Sequence, residues 1–184
     1  MKLEEFINRL NSIETPERFS EIKTHIFEKL IAQLEVDEAH SNQERNIDLI
    51  LSELDNIDDS KFLADFMYSC YFKLGILDQF MKQDDWESIQ IDSNGEIIIR
   101  RGDMAQVLTI NKQLIPRDTL SNISERISYE LEERFDESHC VLKRKYQNKY
   151  IIEMVHEFVA NKTWIRLTTV TAYQGAWIKT ILPV

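Results

Sequence analysis

Ser88-Ile89-Gln90-Ile91-Asp92-Ser93-Asn94-Gly95-Glu96-Ile97-Ile98-Ile99-Arg100 is the stretch that decides the fold. Two short runs of alternating or continuous apolar residues flank an Asn-Gly pair, the strongest short-range signal for a β-hairpin. Here the apolar period changes from 3.6 to 2. The sequence therefore reads as helices on one side of this point and strands on the other.

Upstream, apolar residues recur at helical spacing. Residues 2–12 place Leu3, Phe6, Ile7 and Leu10 on one face. Thr15-Pro16 reads as an N-cap with Pro at the first helical position, opening a helix over 16–36 with Phe19, Ile22, Ile26, Leu30 and Leu34 aligned. A third helix covers 42–55 with Ile47, Ile50, Leu51 and Leu54. A fourth begins at the cap Asp58-Asp59-Ser60 and runs to Lys73, with Leu74-Gly75 as its stop. Leu77 to Lys82 reads as a short helix.

Downstream, Gln106 to Ile110 reads as a strand, and Pro116-Arg117-Asp118 leads into a helix over 118–133 with Leu120, Ile123, Ile127 and Leu131 inward. Val141–Lys145 and Tyr150–Phe158 form a second hairpin around Gln147-Asn148. Trp164–Val170 and Trp177–Leu182 close the chain as β-rich sequence. Segregated helices and strands predict an α+β fold. Its expected form is an N-terminal helical bundle (1–85) followed by a small, mostly antiparallel sheet with one packed helix (86–184).

The 184 residues are 43% hydrophobic and 29% charged, the composition of an ordered globular chain. The net charge of −10 is uneven: residues 1–90 carry 9 basic and 20 acidic side chains, residues 91–184 carry 13 and 12. An acidic half argues against nucleic-acid binding by phosphate neutralisation and is suited to a basic protein surface. No apolar run approaches the ~20 residues that span a bilayer, so no transmembrane segment is expected. No apolar stretch of a signal peptide follows Met1-Lys2-Leu3-Glu4-Glu5. With Cys70 and Cys140 far apart and without metal spacing, the expected setting is the reducing cytoplasm.

Catalytic signatures are missing. The glycines, Gly75, Gly95, Gly102 and Gly175, build neither a phosphate loop nor a dinucleotide turn. His25, His40, His139 and His156 lack zinc spacing, and His139-Cys140 is an adjacent pair whose side chains would diverge on a strand. Runs such as Asp84-Asp85, Glu132-Glu133 and Asp136-Glu137 read as surface charge. The expectation is no enzyme, no cofactor and no metal. In the basic cluster Lys143-Arg144-Lys145, strand alternation sets Arg144 opposite the two lysines, either half-buried and paired or aimed at a ligand.

Several short motifs resemble the N-terminal domain of the secretion-superfamily traffic ATPases, which drive type II and type IV secretion and pilus assembly. Leu74-Gly75-Ile76-Leu77-Asp78-Gln79-Phe80 is similar to that family's lead-in helix, and Trp86 to Ile91 with Asn94-Gly95 to its first strand and turn. Arg134-Phe135-Asp136-Glu137-Ser138 is similar to its Arg-Ile-Asp-Glu-Ser. Val141 and Arg144 fall where it has Val-Asp-Ala-Arg, and Ile165-Arg166 where it has Ile-Arg-Lys. Leu142, Asn148 and Tyr150 depart from the family's Asp, Gly and Arg, and no phosphate loop follows Arg166.

The resemblance implies a docking or oligomerisation domain without its motor. Its partner would be a secretion ATPase or another component of a secretion or conjugation apparatus, engaged through a ring of copies. Arg134, Arg144 and Arg166 would be the ligand-contacting residues, since arginines of that domain reach the motor's nucleotide. Three other readings are open. The chain could be an acidic inhibitor or immunity-like protein that masks a basic toxin or enzyme. It could be an enzyme whose pocket is lined by Arg134, Arg144, His156 and Arg166. It could be a self-associating homo-oligomer built on Trp164, Tyr173, Trp177, Ile178, Ile181 and Leu182.

Overall fold

The computed structural model describes residues 2–36, 43–82, 86–116 and 119–173. By contact the chain divides into two units: Met1–Gln79 with Asn111–Thr119, and Phe80–Ile110 with Leu120–Val184.

The first unit is helical. Helices α1 (Leu3–Asn11), α2 (Phe19–Val36), α3 (Gln43–Glu53), α4 (Ser60–Phe72) and α5 (Ile76–Met81) follow the predicted order, the last continuing two residues past the division at Gln79. α1 buries Leu3, Phe6, Ile7 and Leu10, the predicted stripe. Its Phe6 ring meets Phe62 and Phe66 edge-on at 4.9 and 5.9 Å. α4 is buried on nearly every side, from Leu63 and Ala64 to Cys70 and Tyr71. A helix apolar all round belongs at a unit's centre. Burial also pushes the Tyr71 hydroxyl pKa up.

A shared cap joins α4 to α5. Gly75 (φ 57°) donates to the Ser69 carbonyl at 3.1 Å. The Asp78 carboxylate accepts from Ser69 Oγ at 2.6 Å and from the Leu74 amide at 3.2 Å. The two predicted N-caps work differently from expectation. Asp59 stands at the N-cap of α4 with φ 60°, but makes no side-chain cap bond. Its carboxylate takes Arg9 Nε and Nη2 at 2.5 and 2.7 Å instead. Thr15 Oγ1 donates to Gln113 at 2.7 Å, and α2 starts at Phe19 after a turn closed on the Pro16 carbonyl. Both polar side chains gain tertiary partners that a local reading cannot see.

The second unit is a six-stranded antiparallel sheet in the order β3-β2-β1-β6-β5-β4. Its strands are β1 (Ser88–Asp92), β2 (Glu96–Arg101), β3 (Met104–Thr109), β4 (Val141–Tyr146), β5 (Tyr150–Val155) and β6 (Trp164–Thr169), with α6 (Thr119–Glu130) between the two three-stranded meanders. The chain is thus α+β. The decisive hairpin forms, but with a three-residue loop: Ile91 pairs with Ile97, and only Gly95 (φ 75°) is left-handed. Asp92, buried, accepts the amides of Asn94 and Glu96 at 2.8 and 3.1 Å and so shapes the turn. Its carboxylate also pairs with Lys162.

The strand predicted over Tyr150–Phe158 stops at Val155. His156 caps a short helix, α7 (Glu157–Ala160), its Nδ1 accepting the Phe158 amide at 3.2 Å. Asn161 (φ 61°) ends that helix before β6. α6 ends at Glu130, three residues short of the predicted limit, with Glu132 left-handed (φ 55°) and the Glu133 amide bonded to the Ser128 carbonyl. That is the closing bond of a C-terminal helix cap. The predicted strand Trp177–Leu182 lies outside the described residues.

Candidate functional site

The register of the sheet assigns its charged side chains to faces. Lys143, Glu153, Arg166, Gln90, Ile98 and Val107 are successive cross-strand partners from β4 to β3. Directly opposed residues project to the same face, so these six form one row. The adjacent row, Leu142, Met154, Ile165, Ile91, Ile97 and Leu108, lies on the other face, and all but the half-buried Leu108 are buried.

On the open face the charges pair along the row. Lys143 Nζ meets Glu153 Oε1 at 2.6 Å, and Arg166 Nη1 lies 3.5 Å from Glu153 Oε2. Arg166 also donates from Nε and Nη2 to Gln90 Oε1 at 3.1 and 2.5 Å, and its guanidinium covers the Trp164 ring at 5.1 Å. The bond to Glu153 holds the Lys143 ammonium pKa above its ordinary value, against partial desolvation and with help from Tyr173. Four strands are thereby cross-linked by side chains.

Arg144 belongs to the opposite face, since its cross-strand row runs through Ile152 and Leu167. There, at the edge of the sheet, it pairs with Glu133 beyond the end of α6 at 2.6 Å. Of the two readings its position allowed, the paired one is realised, at an exposed site. Arg134 is exposed and makes no hydrogen bond or ion pair with the described residues. Arg166 thus lies on one face of the sheet and Arg144 on the other, while Arg134 is on the loop after α6, next in sequence to Arg144's partner Glu133. His156, the fourth residue of that reading, caps α7 through its Nδ1.

His139 and Cys140 lie in a loop rather than on a strand. Asp136 Oδ1 accepts the Ser138 and His139 amides at 2.8 and 2.9 Å and approaches His139 Nδ1 at 3.0 Å. The hydrogen bond with His139 leads the causes that hold the Asp136 pKa below the ordinary carboxylate value. Cys140 Sγ donates to the Glu137 carbonyl at 2.8 Å. Among the described residues no group of three or more His, Cys, Asp or Glu could hold a metal, and no helix is long and apolar enough to cross a membrane.

What the surface offers instead is contact area. Tyr129, 88% exposed, lines a shallow groove of about 420 Å³ on α6 with Asn122, Glu125, Arg126 and Glu130. Phe158, 71% exposed, and Val159 stand out from α7. Large aromatic side chains of this kind serve as anchors where they sit in an interface core. Sequence reasoning missed them. Tyr129 is two residues from Ile127, off the inward face, and could have been found that way. Phe158 reads as part of the strand Tyr150–Phe158, and no local signal separates it from one.

No family model matches the chain, and a search of curated proteins finds no match. Among solved structures, the chain is similar to the VirB11 ATPase from the Brucella suis type IV secretion system, determined in complex with sulphate, with 12% identity and a TM-score of 0.47. That similarity covers 62% of this chain and 36% of the ATPase, so the chain spans about a third of that protein's length.

Proposed function

We propose that this chain is a non-catalytic protein-binding module, acting in the cytoplasm as a docking domain for a secretion or conjugation ATPase or its apparatus. The observation that carries the binding role is the division of labour among surface side chains. Arg144 and Arg166 are engaged in pairs that brace the sheet, while Tyr129, Phe158 and Val159 stand exposed on the same unit. Truncating an exposed anchor of this kind typically costs about 2 kcal/mol of binding when it sits in an interface core. The partner class comes from the sequence motifs of Leu74–Thr168, whose expected order of helix, hairpin, helix and second β segment is that of α5, β1–β3, α6 and β4–β6.

The experiment is co-purification of the full chain with a cytoplasmic secretion ATPase from the same cells, followed by titration of the purified pair. Binding weakened at least about tenfold by Tyr129→Ala or Phe158→Ala supports the reading. Sustained ATP turnover by the isolated chain would overturn it, as would affinity unchanged in both variants.

A further inference from the structure

The two edges of the sheet differ in kind. β4 exposes Lys143, Arg144 and Lys145, the charged pattern that blunts an edge against pairing. β3 reads Met104-Ala105-Gln106-Val107-Leu108-Thr109, with no charge, no Pro and no bulge. It pairs with β2 over six consecutive positions, Arg101↔Met104 to Glu96↔Thr109. Met104 is 74% and Val107 59% exposed.

The backbone of β3 is oriented for another strand. In an antiparallel pair, alternate residues turn their amide and carbonyl groups toward the neighbour. The Ile110 amide bonds the Gly95 carbonyl beside β2 at 3.3 Å, so even-numbered positions face β2. Those of Ala105 and Val107 point away from it.

We propose that β3 is a self-association edge, and that its occupant is β3 of a second copy of this chain, added antiparallel about a twofold axis through Val107. A twofold axis normal to the sheet keeps each face continuous across the junction. It sets Val107 beside its symmetry mate with both backbones turned inward, in hydrogen-bonding register. Self-pairing of the uncharged β3 opposes no like charges, whereas self-pairing of β4 would stack its cations. The basic β4 edges then close both ends, so the assembly is a dimer rather than a fibre. One six-residue strand makes a small interface, on the order of 1,000 Å² or less. The dimer is therefore in concentration-dependent equilibrium. None of this depends on the secretion-related reading.

The test uses the full chain. Its mass is followed by analytical ultracentrifugation over a wide concentration range, with hydrogen exchange at Ala105 read at both extremes. Val107→Pro removes an outward amide without touching the β2–β3 ladder, and Val107→Lys adds opposed cations at the axis. The expected result is a mass that rises from one chain toward two, with Ala105 exchange slowing as it does. Either variant should raise the dimer dissociation constant at least about tenfold while far-UV circular dichroism is unchanged. If Val107→Pro does not fold, Val107→Lys decides. A wild-type chain that stays monomeric, or variants that associate as it does, would overturn the proposal. So would Ala105 protection independent of concentration, which would mean that the chain covers its own edge.

Discussion

Asp92 is a buried carboxylate around which the β1–β2 turn is built. Its side chain is 2% exposed, and it organises the β1–β2 turn by accepting the Asn94 and Glu96 amides while pairing with Lys162. Asp92→Ala deletes two charge-assisted bonds to backbone, one of them to the amide of the half-buried Glu96. Each such loss costs about 1–3 kcal/mol, but the exposed turn lets water reach the Asn94 amide, so we expect about 3 kcal/mol in all. Asp92→Asn keeps an oxygen facing the amides and loses only the ion pair. Lys162 is 37% exposed and is rehydrated when the pair is broken, so Asp92→Asn and Lys162→Met should each destabilise the unit less than Asp92→Ala does. Urea unfolding followed by tryptophan fluorescence is the assay, since Trp164 is the cross-strand partner of Asp92. At a slope of about 2–3 kcal/mol per molar, Asp92→Ala shifts the midpoint by roughly 1 M. An Asp92→Ala cost below about 1 kcal/mol, or a Lys162→Met cost equal to it, would refute the assignment of turn geometry to the carboxylate–amide bonds.

Other outcomes follow from the same geometry. Asp78→Ala removes the acceptor of Ser69 Oγ and the Leu74 amide, and should cost about 2 kcal/mol by denaturant titration. Gly102→Ala meets no atom within 4 Å, yet should cost about 1 kcal/mol because φ is +57°. A neutral result there would mean that the β2–β3 turn can change type. The Arg9 hydrogen bond holds the Asp59 pKa below its ordinary value. The pair's stabilisation is therefore fully present above the unfolded carboxylate's pKa and is lost as pH falls through the lower folded value. The melting temperatures of wild type and Asp59→Asn should differ at neutral pH and converge in acid. A constant gap down to pH ~2 would contradict the pairing.

The helices were legible because burial of one face imposes a 3.6-residue period that the chain carries locally. α1 buries its predicted apolar stripe, and α4 starts at the predicted Ser60 and ends one residue short of Lys73. The candidate site was less legible. Lys143 and Arg144 could be assigned to opposite faces of β4 by alternation alone. Whether Arg166 shares a face with either depends on register through β5, where Glu153 rather than Ile152 stands opposite it. Spacing along the chain does not specify that register.

From its residues alone, then, this chain determines the kind of element at most positions, the α+β class and the hairpin at Asn94-Gly95. Each follows from periods and turn propensities that act over a few neighbours. Tertiary structure alone decided that β1 pairs with β6, that Asp59 serves Arg9 instead of a helix end, and that Arg144 and Arg166 lie on opposite faces of the sheet. Those outcomes depend on which distant groups meet once apolar faces are buried, and a polar side chain takes the partner that burial brings to it.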